Sequence, residues 1–189
     1  MRSDVVALYV DPKGPYPKLV QEWYDEERDA TTYRGPLPVV AHPPCGPYCK
    51  LRKFNKYQRP QHAIHAVEMV RGNGGVLEHP AGSLLWPVAG LPRPGGARDG
   101  FGGYTIEVEQ VRWGHRAVKR TWLYIVRCGT VPPIPPMRAH THTCGMNRAP
   151  GTRPLGSVER RMTPVAFAEW LLELASGASK NILERFLTV

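Results

Sequence analysis

The stretch Pro38-Val39-Val40-Ala41-His42-Pro43-Pro44-Cys45 joins a short apolar run to a turn that carries a cysteine. A continuous apolar run of this length is typical of a parallel strand buried on both faces, and ligands of open α/β sheets bind beyond the carboxyl ends of such strands. The prolines stiffen the turn and remove backbone donors, which fixes the direction of the thiol. The stretch therefore predicts an α/β fold with Cys45 at a ligand-binding edge. In the alternative interpretation, Cys45 is a small buried apolar residue.

The segments on either side of this stretch alternate between strand and helix patterns. Strands are predicted at residues 5–10, 76–77, 104–110 and 121–126, and the last two are expected to pair as neighbours. A short helix is predicted near residues 18–24. A longer helix begins at Pro60 and is stopped by the glycines of residues 72–75, and a last one covers residues 165–175. This alternation favours the α/β class.

The composition indicates one domain that does not associate with a membrane. The chain has 189 residues, enough for a single core, and its 20 prolines and 19 glycines indicate long ordered loops between short elements. No apolar run approaches the roughly 18 residues of a membrane-spanning helix, and residues 1–4 lead directly into a strand pattern. We therefore expect a cytoplasmic protein whose four cysteines are reduced thiols.

The net charge of +9 is concentrated in two basic clusters. The first follows Cys45 and is interleaved with aromatic residues, and the second lies between the two predicted strands at 104–110 and 121–126. A phosphate backbone is attracted to such clusters and bases stack on interleaved aromatics, so we expect a polyanionic partner. Alternatively, the basic residues form a solvated surface that binds nothing acidic. The residues expected to contact nucleic acid are Lys50, Arg52, Lys53, Lys56, Arg112 and Arg120.

Three polar segments follow or precede predicted strands: residues 42–45, Glu78-His79-Pro80, and the basic turn at 114–121. Their order, with 33 residues from Cys45 to Glu78 and 41 from Glu78 to Lys119, resembles the catalytic half of DNA cytosine-5 methyltransferases. The stretches LEHPAGSLLW (77–86) and WGHRAVKRTWLYI (113–125) are similar to a divergent phage-associated branch, and residues 161–164 resemble the segment that opens the late helix of the family. The resemblance covers about residues 36–175.

This resemblance implies a Rossmann-like, three-layer, methyltransferase-type sheet whose N-terminal half is shortened. Residues 1–189 would form one such domain. Within it we expect a reduced cofactor-side region at 1–35, a catalytic half at 36–128, a proline-rich loop at 129–157 and a C-terminal helical region at 158–189.

The resemblance also implies roles for individual residues. Cys45 matches the nucleophile that adds to carbon 6 of the base, and nearby Lys50 or Arg52 would lower its pKa. Glu78 matches the glutamate that donates to nitrogen 3, with its pKa raised by burial. Lys119 would place a cation near the carbonyl oxygen at carbon 2, with Arg116 as the second choice. Residues in or beside these motifs are expected to bind the substrate: Pro44, His42, His79, Arg116 and Thr121.

The family binds S-adenosylmethionine with a glycine-rich loop after the first strand and an acidic residue at the end of the second. Only 44 residues precede Cys45, and they contain no Phe-x-Gly-x-Gly pattern. The candidates for the acidic residue are Asp11, Asp25 and Asp29. The sequence also carries His79, Ala117 and Thr121 where the family has asparagine, glutamine and its second arginine.

Two functions follow from this pattern. In the first, the protein is an enzyme that acts on DNA or a pyrimidine nucleotide, with the target base flipped out or single-stranded. In the second, it is a catalytically inactive, methyltransferase-like nucleic-acid-binding protein of phage or prophage origin. A zinc site is a third alternative, because Cys45 and Cys49 are four residues apart and His140, His142 and Cys144 alternate with threonines. We expect no metal, since neither spacing is a common zinc signature.

Overall fold

The computed structural model describes residues 2–49, 52–144 and 151–187. Six strands form the main sheet: β1 (Ser3–Leu8), β2 (Val20–Tyr24), β3 (Val39–Ala41), β4 (Gly75–Pro80), β5 (Tyr104–Glu109) and β6 (Arg120–Val126). Their order across the sheet is β2-β1-β3-β4-β6-β5. The first four strands in this order are parallel, and β6 runs antiparallel to both β4 and β5. The prediction of an α/β fold is therefore confirmed.

Helices cover both faces of this sheet. They are α1 (Tyr16–Leu19), α2 (Gln61–Asn73), α3 (Leu85–Val88), α4 (Ser157–Arg161) and α5 (Val165–Leu187). The helix α5 packs on β1, β3 and β4, whereas α2 packs on β3, β4 and β6. In the proline-rich segment, β7 (His142–Thr143) and β8 (Arg153–Pro154) form a separate pair of short strands.

The continuous apolar runs of the parallel strands fit this double covering. In β3 and β4, Val40 and Val76 belong to the core on the α5 side, whereas Val39 and Leu77 belong to the core on the α2 side. Because successive side chains of a strand point to opposite faces, Glu78 lies on the α5 face and His79 on the α2 face. The pleat of β4 therefore separates two neighbouring polar residues.

One glycine is required by the pairing of β3 with β4. Gly75 has a φ of +122° and is the register partner of Val39. A Cβ at this position would lie 2.0 Å from the carbonyl oxygen of Val39. Only glycine combines this backbone conformation with so close an approach of the neighbouring strand.

The other predicted elements are mostly confirmed. The strands at 104–110 and 121–126 pair as neighbours, and the helix predicted to begin at Pro60 is α2, which buries Ala63, Ala66, Val67 and Val70. The helix predicted near 18–24 is wrong: α1 has a single turn, and residues 20–24 form β2, parallel to β1. Val20 and the aromatic Trp23 and Tyr24 favour a strand, and pairing with β1 decides between the two local preferences. The last helix continues past residue 175 to Leu187.

Candidate active site at the carboxyl edge of the sheet

The direction of the strands brings the three predicted catalytic segments to one edge of the sheet. The parallel strands β3 and β4 both end there, so the turn at 42–45 and Glu78 lie at neighbouring strand ends. The strand β6 runs antiparallel, with Thr121 opposite Pro80. Its beginning, and Lys119 just before it, therefore lie at the same edge. This topology explains how residues 33 and 41 positions apart in the chain come together.

Glu78 is the centre of a buried hydrogen-bond network. Its Oε2 lies 3.1 Å from His42 Nδ1, and its Oε1 accepts a hydrogen bond of 2.9 Å from Gln110 Nε2. The same Gln110 nitrogen donates to Thr121 Oγ1 at 2.9 Å. Glu78 is only 8% exposed. A carboxylate held by two side chains in this way is fixed in direction as well as in position.

This network reverses the expected pKa shift of Glu78. Burial by itself raises the pKa of a carboxyl group, but here the hydrogen bond from His42 and the charge of Lys119 outweigh it and lower the pKa from 4.5 to about 2. Glu78 is therefore an ionised carboxylate at neutral pH. The expectation of a raised pKa is wrong because the sequence does not show which groups surround the carboxyl group.

A buried tyrosine completes the network on the far side of His42. Tyr16 Oη lies 2.6 Å from His42 Nε2, and Tyr16 is 2% exposed. Burial and the charge of Glu78 raise the pKa of Tyr16 well above its ordinary value, so the phenol stays protonated. The side chains of Tyr16, His42 and Glu78 thus form a continuous hydrogen-bonded chain.

The sequence analysis missed Tyr16 and Gln110. Tyr16 lies in the connection from β1 to β2, where no motif distinguishes it. Gln110 directly follows β5 and was included in a predicted strand. The signal that could have found it is its place as a polar residue at the end of an alternating strand, next to the turn that carries Lys119.

Cys45 lies at the end of the turn that follows β3, and the residue is exposed to solvent. Its thiol is nonetheless enclosed enough that loss of hydration raises its pKa, and the charge of Glu78 raises it further, whereas Lys119 lowers it. The resting group is therefore a thiol, and the expectation of a lowered pKa is wrong. Of the two cations expected to activate it, Lys50 lies outside the described residues and Arg52 lies in an exposed 3-10 helix, Arg52–Phe54.

Lys119 lies close enough to this edge of the sheet for its charge to act on the groups there. Its charge lowers the pKa of both Glu78 and Cys45, and its Nζ donates to the carbonyl oxygen of Met162 at 3.4 Å. Met162 and Arg116 also line a cavity of about 130 Å³. Arg116 itself forms an ion pair with Glu159 and lies 3.0 Å from His142 Nε2. The structure thus groups Lys119 with Cys45 and Glu78, and it gives Arg116 other partners.

The remaining substrate-binding candidates lie in different surroundings. Thr121 joins the Glu78 network through Gln110, and Pro44 is half-buried next to Cys45. His79, by contrast, is on the α2 face, 1% exposed, with Nδ1 2.7 Å from Ser83 Oγ. Burial lowers the pKa of His79 to about 4, so it is a neutral core histidine.

The basic residues predicted to contact nucleic acid form two groups with different partners. Arg52, Lys53 and Lys56 are exposed in the loop that follows Cys45, beside Phe54, which is 84% exposed. None of these three cations forms an ion pair with any described residue. Arg112 and Arg120, in contrast, pair with Glu109 and Glu107 at 3.2 and 2.6 Å.

Each of the three acidic residues expected to bind a cofactor makes a local hydrogen bond. Asp11 accepts from the backbone N–H of Lys13, and Asp29 accepts from the backbone and hydroxyl of Thr31. Asp25 accepts from the N–H of Arg28, is 7% exposed and directly follows β2. Asp25 therefore lies directly after the second strand, at the position where the sequence-based hypothesis expects an acidic residue.

In the described ranges, no three histidine, cysteine or acidic side chains are grouped closely enough to hold a metal ion. His142 Nε2 lies 3.0 Å from a guanidinium nitrogen of Arg116. No helix in those ranges has both the length and the apolar character needed to cross a membrane. All four cysteines are free thiols.

Comparison with known proteins gives no further information, because the chain matches no model of a protein family and no curated protein.

Proposed function

We propose that this protein modifies a pyrimidine base of DNA by forming a covalent adduct between Cys45 and carbon 6, as the resemblance to cytosine-5 methyltransferases implies. One observation carries the proposal: Cys45, Glu78 and Lys119 come from three distant segments, lie at one edge of the sheet and act on one another electrostatically. Ligands of open α/β sheets bind at such an edge. A thiol, a carboxylate and an ammonium group are the functional groups that this reaction uses.

The chemistry assigns a separate task to each of the three. When Cys45 Sγ bonds to carbon 6, the double bond between carbons 5 and 6 opens and negative charge develops on nitrogen 3 and the carbonyl oxygen at carbon 2. Glu78 donates a proton to nitrogen 3, and Lys119 stabilises the negative charge on the carbonyl oxygen. The Glu78 carboxylate raises the pKa of Cys45 in the resting state. Protonation of Glu78 therefore also favours the thiolate that attacks.

The topology of the sheet supports the finer assignment to a methyltransferase-type fold. Four parallel strands are followed by an antiparallel strand, β6, which lies between β4 and β5. The N-terminal half is short, since one strand, β2, lies beyond β1 and the helix that connects them has a single turn. This arrangement supports the reduced cofactor-side region that the resemblance implies for residues 1–35.

S-adenosylmethionine is the methyl donor in this family, and Asp25 is the described residue best placed to bind its ribose. The loop after β1 does not fit the rest of that cofactor. Asp11 uses its carboxylate within the loop, and a Cβ on Gly14 would lie 3.0 Å from the carbonyl oxygen of Asp11. Gly14 therefore closes a tight turn and leaves no space for a ligand. For this reason the proposed chemistry assigns no step to the methyl donor. Calorimetric titration of wild-type and Asp25→Asn protein with S-adenosylmethionine and S-adenosylhomocysteine tests the assignment.

The second candidate function is nucleic-acid binding without catalysis. The observation that favours it is the exposed loop with Arg52, Lys53, Phe54 and Lys56, which combines unpaired cations with an aromatic ring, together with a Cys45 thiol that is protonated at rest. Both functions require DNA binding, so this surface is tested first. Each phosphate contact contributes about one unit to the slope of log Kd against log salt concentration.

Replacement of Arg52, Lys53 and Lys56 by glutamine is expected to reduce this slope by about 2 to 3 units, measured by fluorescence anisotropy with a labelled oligonucleotide. In the matched control, Arg112 and Arg120, whose charges are compensated by glutamates, are replaced by glutamine. It should change the slope by less than about one unit. Equal effects of the two variants would contradict the assignment of the exposed loop to phosphate binding.

Exchange at carbon 5 tests catalysis without assuming a methyl donor. Once Cys45 adds to carbon 6, carbon 5 can take a proton from water, and elimination of the thiolate then releases the original hydrogen isotope. Wild-type protein should remove deuterium from deoxycytidine labelled at carbon 5 in single-stranded or duplex DNA, followed by mass spectrometry. Cys45→Ser should abolish exchange, whereas Cys49→Ser should retain it. DNA binding that is independent of Cys45 and occurs without exchange would establish the second function instead.

A further inference from the structure

The proposed reaction needs an acid at nitrogen 3, yet Glu78 is an ionised carboxylate at rest. A proton must therefore reach Glu78 from another group before or during the attack of Cys45. Among the described residues, the side chains within hydrogen-bonding distance of its oxygens are His42 and Gln110. An amide cannot give up a proton under these conditions, whereas an imidazolium can.

The arrangement of His42 is suited to carrying that proton. The ionised Glu78 can only accept, so His42 Nδ1 bears the hydrogen that lies between them, and His42 Nε2 faces Tyr16 Oη at 2.6 Å. A phenol both donates and accepts. Tyr16 therefore donates to Nε2 when the ring is neutral with its hydrogen on Nδ1, and it accepts from Nε2–H when the ring is an imidazolium. The ring keeps both hydrogen bonds in either state.

We propose that His42 delivers to Glu78 the proton that Glu78 passes to nitrogen 3 of the pyrimidine, and that Tyr16 holds the imidazole while the proton leaves. The inference rests on the proposed function. His42 acts through Glu78, so it is a positioning residue that carries a proton and does not itself contact the base.

The step balances without a further reactant. The Nδ1–H bond of the imidazolium breaks as an O–H bond forms on Glu78, and the carboxylic acid gives this proton to nitrogen 3 as the bond from Cys45 Sγ to carbon 6 forms. His42 is left neutral, with Nε2–H donated to Tyr16. Its Nδ1 accepts from Glu78 while the carboxyl group is protonated, and this hydrogen bond is lost once the proton has passed to nitrogen 3. When sulfur is eliminated, the proton returns from nitrogen 3 through Glu78 to His42 Nδ1.

The titratable groups that contact His42 or act on it through their charge come from several elements. Tyr16 belongs to α1 and Glu78 to β4, whereas His79, also in β4, lies on the opposite face and is coupled to His42 only electrostatically. Lys119, just before β6, acts on Glu78, and Cys45 lies in the same turn as His42. Lys119 favours the ionised form of Glu78 and so opposes an early transfer from His42. Transfer is then coupled to the charge that develops on the base.

The test is the pH dependence of carbon 5 exchange at saturating DNA. If an imidazolium supplies the proton, the wild-type rate declines at alkaline pH. His42→Asn retains a donor toward Glu78 but cannot transfer a proton. Its rate should therefore be about 100-fold lower than that of the wild type and should show no alkaline decline. The dissociation constant for DNA should stay near its wild-type value. The midpoint of thermal unfolding should fall, because the buried Tyr16 hydroxyl loses its partner, but circular dichroism should show a folded protein at the assay temperature. The matched control is His62→Asn, which breaks a comparable pair at Tyr57 Oη, 2.6 Å from His62 Nδ1. It should leave the profile unchanged.

Tyr16→Phe provides a second variant if His42→Asn does not fold. Loss of the oxygen that accepts Nε2–H disfavours the imidazolium, so the declining part of the profile should move to lower pH. The inference is overturned if the alkaline decline is the same in His42→Asn as in the wild type. If only Tyr16→Phe folds, the inference is overturned when the decline of that variant stays at the wild-type pH. Either result leaves the proposed function intact. Absence of exchange in the wild-type protein overturns both.

Discussion

The charge of Glu78 is expected to stabilise the folded protein, and Glu78→Gln measures by how much. The pKa of this carboxyl group falls from its usual 4.5 to about 2 on folding, and Glu78 is only 8% exposed, so little solvent screening applies. A shift of this size corresponds to about 3 kcal/mol of stability. Because the folded-state pKa is lowered, this contribution is present above pH 4.5 and is lost as the pH falls toward 2.

Urea unfolding followed by tryptophan fluorescence at several pH values provides the measurement. The difference in unfolding free energy between wild type and Glu78→Gln should be about 3 kcal/mol at pH 7 and should shrink by roughly 2 kcal/mol by pH 3. Glu169→Gln removes an exposed carboxylate from α5 and serves as the control, with a change below about 0.5 kcal/mol. A difference between wild type and Glu78→Gln that stays constant from pH 7 to pH 3 would refute the reasoning.

Three further outcomes are expected. Gly75→Ala should prevent folding because its Cβ would meet the neighbouring strand at 2.0 Å, whereas Gly72→Ala, in the open on α2, should stabilise the protein by about 0.5 to 1 kcal/mol; circular dichroism and thermal unfolding distinguish the two. Asp99→Asn should destabilise by about 1 to 3 kcal/mol in urea unfolding, because the carboxylate accepts two backbone N–H groups and a tyrosine hydroxyl. The pKa of Cys45, measured from the pH dependence of iodoacetamide alkylation, should lie above 9 in the wild type and fall in Glu78→Gln.

Secondary structure could be predicted where the local pattern and the tertiary environment agree. The run Val39–Ala41 is buried on both faces, and α2 buries the residues that its periodicity indicates. Prediction failed at residues 20–24, where a proline-started turn and a strand pattern compete. Pairing with β1 supplies hydrogen bonds between strands, which the local sequence does not indicate. This pairing makes the segment one of the two edge strands of the main sheet.

The convergence of Cys45, Glu78 and Lys119 at one end of the sheet could be predicted, but the protonation of these groups could not. Cys45 and Glu78 were recognisable because they follow apolar strands, and Lys119 because it precedes one. Tyr16 and Gln110 were not recognisable, because each belongs to the network only through a contact with a residue distant in the chain. The sequence does not distinguish Arg112 and Arg120, which form ion pairs with Glu109 and Glu107, from Arg52.

The sequence by itself determined the α/β class, the cysteine at the end of a buried strand and the basic character of the loop behind it, since these depend on the order and spacing of neighbouring residues. Only the tertiary structure decided that Glu78 is ionised and that the Cys45 thiol is protonated at rest. A pKa depends on distances between charges and on the loss of water around them. The nearest partners of Glu78, His42 and Gln110, lie 36 and 32 residues away in the chain.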